Sequence, residues 1–253
     1  LYVEGFEKLG LEWAPLRRGQ SNCGTGNDCI VCLGGCPRKS KQSMLETFLP
    51  QAENNGLKIL SEFEVAEVVH GQQFVTVQGR HKGNPHSLYA RKVILAAGAL
   101  GTTQLLLKAG LQQRLPALGQ HFHCHPQWMT VGFFDEPVDS HKGAFQSVKS
   151  SDPRFRQWGF KLENVFAGPI AMSLLKPGYG FEHQRYMQRY RNMACIEVAV
   201  RDQDAGALRL SNEGRLVIDK PLSDADRQRA NRGTQIVHDI FSSLGAREIM
   251  TSP

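Results

Sequence analysis

Four cysteines fall within fourteen residues, Cys23, Cys29, Cys32 and Cys36. The spacing Cys29-x2-Cys32-x3-Cys36-Pro37 is one that iron–sulfur ligation uses, and Gly34 and Gly35 would let backbone N–H groups approach the sulfurs. Four thiolates also suit zinc. A disulfide pair in an exported protein, or plain buried thiols, are the readings without a metal. Cys124 and Cys195 stand alone and read as small buried hydrophobes.

A second candidate lies where an apolar run, Val93-Ile-Leu-Ala-Ala, passes through Gly98 and Ala99 into a helical pattern. Small side chains let a ligand approach the backbone there. The start of a helix also offers unpaired N–H groups to phosphates or carbonyl oxygens. Ala97, Gly98, Ala99 and Thr102 are therefore candidate cofactor contacts. Without a ligand, the same residues make a tight strand–helix junction.

The elements that must position these groups are legible from period and punctuation. Met44, Leu45, Phe48, Leu49 and Ala52 recur at helical spacing within Ser40–Asn54, with Pro50 expected to kink or end the regular part and Gly56 to close it. Leu57–Leu60, Phe63–Val69, Phe74–Val77 and Leu88–Leu95 read as strands, and Thr102–Lys108 as a helix stopped by Gly110. Further on, Trp128–Phe134, Met193–Arg201, Ala207–Leu210 and Leu216–Asp219 read as strands, the last two joined by Ser211-Asn212-Glu213-Gly214. Asp224–Leu244 is the clearest helix. Ser223 is its N-cap, Gly245 its stop, and Ile236, Val237, Ile240, Phe241 and Leu244 its apolar face. Residues 135–190 read as irregular and covering something.

The composition is that of a globular protein, with 253 residues and 41% hydrophobic content. The longest apolar stretch, near Val93–Leu100, falls far short of the roughly 18 residues of a membrane helix. The chain reads as soluble, cytoplasmic or periplasmic, with no signal peptide at its start. A net charge of +6 is compatible with nucleic-acid binding. A scattered basic excess selects no partner, however, and reads as a solvated surface that would also suit an anionic cofactor.

Three segments in order resemble the glucose–methanol–choline oxidoreductase family. The cysteine segment, followed by Thr47-Phe-Leu-Pro50-Gln-Ala52, is similar to one in long-chain alcohol oxidases and related bacterial dehydrogenases. Val93-Ile-Leu-Ala-Ala-Gly98-Ala-Leu-Gly101-Thr102 through Leu111 resembles the family's second signature, beside the flavin. Leu118-Gly119-Gln-His-Phe-His-Cys-His125-Pro126 resembles its Leu-Gly-x-x-Leu-x-x-His-Pro. Thr103 and Ala109 depart from the family's usual Pro or Ser and Ser. The chain also lacks the family's Gly-x-Gly-x-x-Gly unit and stops at Pro253, where the catalytic His of Ser-Pro-His-x-Met-Gly is expected to come next.

The resemblance implies an α/β plus α+β fold: a partial, Rossmann-like FAD-binding domain over 1–112, with a Cys-rich excursion at 19–40, then a substrate domain with an antiparallel sheet over 113–253. It implies FAD as cofactor, a small-molecule alcohol as substrate, and oxygen, a quinone or a cytochrome as electron acceptor. Alcohol oxidation would proceed by proton abstraction and hydride transfer to the flavin. By the same analogy the backbone of Val65 contacts the adenine, and His125 is structural, near a domain boundary. His121 and His123 read as surface or packing residues. Some sugar dehydrogenases of the family carry an iron–sulfur cluster in the cysteine region, with different spacing. An internal fragment without the pyrophosphate loop and the base is expected to be inactive. Phe133, Phe134, Phe145, Phe166 and Tyr179 favour a long or hydrophobic alcohol. The alternative is an electron-transfer or metal module centred on Cys23–Cys36.

Overall fold

The computed structural model describes residues 1–23 and 35–252. Its elements, in chain order, begin with helix α1 (Tyr2–Lys8), strand β1 (Trp13–Pro15) and α2 (Phe48–Asn54). Strands β2 (Phe63–His70), β3 (Val75–His81) and β4 (Asn84–Ala90) precede α3 (Gly98–Lys108). Then come β5 (Gln127–Phe133), β6 (Val148–Ser150), α4 (Pro153–Trp158), β7 (Phe160–Asn164), α5 (Pro169–Ser173) and α6 (Phe181–Gln188). The last are β8 (Met193–Val200), β9 (Ala207–Leu210), β10 (Leu216–Asp219), α7 (Asp224–Ser243) and β11 (Glu248–Thr251).

The fold is mixed α/β and divides into two compact units. One comprises Leu1–Pro50, Cys124–Asp202 and Ser223–Pro253, the other Gln51–His123 and Gln203–Leu222. These bounds differ from the expected cut at 112/113. Residues 1–50 join the later part of the chain because β1 pairs with β6 and α1 packs on α7. Residues 203–222 join the earlier part because β9 packs on α3.

The first unit is built on an antiparallel sheet of order β1-β6-β7-β8-β5-β11. β8 is buried along its whole length and serves both faces by alternation. Ala194, Ile196, Val198 and Val200 face a core shared with Phe160, Leu162, Val237, Ile240 and Phe241, which is the α7 side. Met193 and Cys195 face a second core with Val131, Phe133, Phe166, Met172 and Tyr186. α7 lies close to the sheet because Gly233 carries no side chain: a Cβ there would stand 2.4 Å from Val198 Cγ1. The helix starts where expected, since Ser223 Oγ accepts from the Asp226 N–H at 3.1 Å. Ser223→Ala is expected to cost about 1 kcal/mol of unfolding free energy, measured by urea denaturation. An unchanged midpoint would remove the cap from the account.

The region expected to be irregular, 135–190, holds β6, β7 and helices α4–α6. Three short helices and two sheet strands therefore stand where the reading was a covering loop. Phe133 and Phe166 are core residues, and Phe134 packs edge-to-face on Phe241 at 6.1 Å. The aromatics taken as a sign of a hydrophobic substrate thus mostly build the unit itself, while Tyr179 is exposed.

The second unit contains the antiparallel meander β2-β3-β4, the hairpin β9-β10 and α3, which packs on β2 and β9. All strand pairs among the described residues are antiparallel. Two expectations here are corrected. Leu57–Leu60 is not a strand. The strand expected over Leu88–Leu95 is displaced to Asn84–Ala90, because the two-residue turn Lys82-Gly83, with φ of 51° and 82°, closes a hairpin that pairs His81 with Asn84. The helix expected from Ser40 begins only at Phe48. Pro50 sits in its first turn, where a missing N–H leaves no hydrogen bond unmade.

Among the described residues no helix is long and apolar enough to cross a membrane.

Candidate functional site

Beyond Ala90 the chain runs through Val93–Ala96 without pairing in a sheet, and Ile94 is 90% exposed. It turns at Ala97 and enters α3 at Gly98, whose φ of +73° favours glycine over any residue with a Cβ. A Cβ at Gly98 would meet nothing within 4 Å, so the space before this helix start is open. Ala96, Ala97, Gly98 and Ala99 are all exposed. The backbone at the start of an eleven-residue helix is therefore reachable by a ligand, and its N–H groups suit an anionic or carbonyl oxygen.

Thr102 is committed to the turn itself. Its Oγ1 accepts the Ala97 N–H at 3.1 Å, which holds the junction in shape. Gly101 keeps the turn tight, since a Cβ there would stand 3.0 Å from that of Ala97.

Val65 lies half-buried in β2, paired with Gly79 at a bulge that shifts the register between Val65 and Glu67. Bulges free backbone groups from the ladder. Because α3 packs against β2, the structure brings the strand of Val65 and the junction of Ala97–Thr102 into one compact unit.

The cysteine reading falls partly outside the described residues, which include neither Cys29 nor Cys32. Cys23 is exposed. Cys36 is half-buried, and hydrogen bonds from the Ser40 backbone and hydroxyl, then from the Arg38 backbone, hold its thiol below the usual range. Among the described residues no group of three or more His, Cys, Asp or Glu is arranged to hold a metal. Cys195 is fully buried, as expected, and burial pushes its thiol up. Cys124 is exposed, which corrects its reading as a buried hydrophobe. Its backbone N–H donates to Asp202 Oδ2 at 3.0 Å.

His125 is exposed and lies close in sequence to the His123/Cys124 boundary between the compact units. His121 and His123 are exposed, as a surface reading expects.

The sequence reading missed a pair of carboxyl groups. Glu163 on β7 and Glu197 on β8 are directly opposed in register, and each is 4% exposed. They lie on the sheet face away from α7. Lys161 Nζ reaches Glu163 Oε1 at 2.5 Å, and Gln146 Nε2 donates to Glu163 Oε2 at 3.2 Å. Burial, then the hydrogen bond and charge of Glu163, push Glu197 up to about 7, with Lys161 opposing. Glu197 therefore keeps its proton well above the usual carboxylate range. A glutamate inside the apolar run Met193–Val200 was the available signal.

A family profile described as GMC oxidoreductase matches residues 1–127. An uncharacterised GMC-type oxidoreductase of Sinorhizobium fredii is 33% identical over 257 residues, covering 98% of this chain and 49% of that protein. One of Mycobacterium tuberculosis is 29% identical over 253 residues, covering 99% of this chain and 39% of its own. A long-chain-alcohol oxidase of Arabidopsis thaliana is 26% identical over 269 residues, covering 98% and 35%. The chain thus spans half or less of the length of these curated relatives.

Proposed function

The chain belongs to the GMC oxidoreductase family, and from that premise we propose that it forms part of an FAD-dependent enzyme oxidising an alcohol. The observation that carries the reading is the exposed, side-chain-poor junction Ala97–Ala99 at the start of α3, held by Thr102. The residues fit the cofactor. The helix start is open, Gly98 admits a close neighbour, and the bulge at Val65 leaves backbone near the same helix.

In this reading Gly98 and Ala99 would hold FAD through backbone N–H groups, Ala97, whose own N–H is taken by Thr102, would line the turn beside it, and Val65 would contribute main-chain contact to its adenine. Bound FAD supplies the acceptor for the hydride of the carbinol carbon. Thr102 fixes the turn, so that the donors are in place before the ligand arrives, which lowers the ordering cost of binding. The six-stranded sheet forms the substrate side. No residue of this chain is assigned as the base. A long-chain alcohol is the substrate class, supported by the names of the plant relatives, with oxygen, a quinone or a cytochrome as electron acceptor. The cysteine segment has no part in this reading.

The test is the visible spectrum of the protein expressed from its natural gene and purified without added cofactor. Twin flavin bands, bleached anaerobically by a long-chain primary alcohol, are expected. A colourless protein that FAD does not reconstitute overturns the proposal. Gly98→Val, which places a branched side chain before the helix and strains a positive φ, is expected to weaken FAD retention about tenfold or more.

A further inference from the structure

α5 and α6 stand on the second core of the first unit. Met172 is buried in that core, and the Tyr186 hydroxyl of α6 donates to the Met172 carbonyl at 3.0 Å, which ties the two helices together. The side of α5 that carries Met172 is thereby used. Ile170 and Leu174, four residues apart, share the other side. The link to α6 is a glycine turn, with φ of 111° at Gly178 and 73° at Gly180, and it leaves Tyr179 outside. Phe181 opens α6. In chain order these four side chains are 82%, 78%, 94% and 71% exposed. They fall within twelve residues, yet among all the described residues only seven large hydrophobics are more than 70% exposed. Such a concentration marks a surface that something covers.

The exposures also bear on what covers it. Apolar side chains packed on one another into a patch would shield each other, and these do not. They stand as separate prongs on a base held by Met172 and Tyr186. A rigid protein partner needs a matching hole for each prong, whereas the acyl–headgroup boundary of a bilayer closes around any of them. The charges agree. Between Asn164 and Ile196 the chain carries Lys176, Arg185, Arg189 and Arg191 against Glu182 alone. Arg189 and Arg191 are paired with Glu248 and Asp139. Lys176 and Arg185 are set against Glu182, and the Arg185 guanidinium lies 5.5 Å from the centre of the Phe181 ring. Tyrosine, and lysine or arginine beside apolar residues, are the groups that settle at a bilayer interface, the cations against its anionic lipids.

We propose that the segment 170–181 docks this protein on an anionic lipid bilayer. Ile170, Leu174, Tyr179 and Phe181 seat at the acyl boundary, and Lys176 and Arg185 meet the headgroups. The proposal rests on this segment alone and not on the flavin reading.

The test is co-sedimentation of the protein expressed from its natural gene with sucrose-loaded vesicles of phosphatidylcholine, alone or mixed with phosphatidylglycerol. Binding to the mixed vesicles is expected, at least about threefold stronger than to the neutral ones. Ile170→Ser/Leu174→Ser and Tyr179→Ser/Phe181→Ser should each weaken binding to both vesicles at least about tenfold. Their unfolding midpoints should not move, because all four side chains are exposed. Tyr179→Ser alone touches no helix and should still weaken binding about threefold. Lys176→Ala/Arg185→Ala should abolish the preference for the mixed vesicles and leave binding to the neutral ones unchanged. Protein that stays in the supernatant with both vesicles, or apolar variants that bind as the wild type does, overturns the proposal. Equal binding of the wild type to neutral and anionic vesicles overturns the part given to the cations. Self-association without lipid that the apolar variants abolish would make a second copy the occupant and overturn the lipid reading.

Discussion

Phe241→Ala is expected to lower unfolding free energy by about 3–5 kcal/mol, the largest stability loss of any single truncation in the α7 core. Phe241 is fully buried, and its ring stands where a side chain on Gly132 would be. A Cβ at position 132 would lie 2.8–3.1 Å from three atoms of that ring. Phe134 closes a further side of it edge-on. The surrounding strands are hydrogen-bonded on both sides of β5 and cannot collapse into the vacancy. The same geometry makes the loss partly recoverable. Gly132→Val alone should cost about 1–3 kcal/mol through overpacking, yet in the Phe241→Ala background it should restore stability. A double-mutant cycle in urea reads the coupling. Strictly additive losses would show that Phe241 and Gly132 do not share the space.

Glu197→Gln is expected to raise stability at pH 8 by on the order of 1–3 kcal/mol and to leave it nearly unchanged at pH 5. The folded state holds Glu197 at about 7, against an ordinary value of 4.5, first through burial and then through Glu163. A carboxyl whose folded value is raised binds more protons folded than unfolded. Its contribution therefore falls as pH rises from about 4.5 to about 7 and stays low above that. Glutamine donates to Glu163 without needing a proton, so the variant escapes the fall. Asp139 and Asp152 run the other way. Their arginine partners Arg191 and Arg154 hold them far below 3.8, so their contributions are complete above that value and fade only at lower pH. Of these three groups, only Glu197 contributes a slope between pH 5 and 8. Denaturant midpoints across that range check it, and parallel curves for wild type and variant would remove the raised Glu197 carboxyl from the account.

The elements that were legible in the sequence are those whose own pattern decides their state. β8 is a run of eight buried residues, and α7 carries a cap, an apolar face and a glycine stop, so each was read to within a residue or two. β5 and the β9–β10 hairpin followed the same logic. The elements missed were short ones stabilised by distant partners. β1 and β6 are three residues each and exist because they pair with one another across more than a hundred residues of chain. Val93–Leu95 shows the opposite failure. Its apolar run has the composition of a strand, yet pairing ends at Ala90 and Ile94 faces outward. At the candidate site, the turn of Ala97–Ala99 was readable because Gly98 stands where the backbone takes a positive φ that favours glycine. The bond from the Ala97 N–H to Thr102 and the register that opposes Glu163 to Glu197 depend on three-dimensional geometry that no local pattern encodes.

The six-stranded sheet has a consequence for the order of assembly. One edge strand is β1, drawn from residues 13–15, and the other is β11, drawn from residues 248–251. During synthesis the first edge must wait for β6, and the second edge emerges after every other strand of the sheet, so the sheet cannot close before β11 is available. The meander β2-β3-β4 needs only neighbours within about thirty residues. Local pairings form early and distant ones late, because loop closure must precede their reward. The meander should accordingly gain amide-exchange protection well before β8, whose partners on either side come from widely separated stretches of chain.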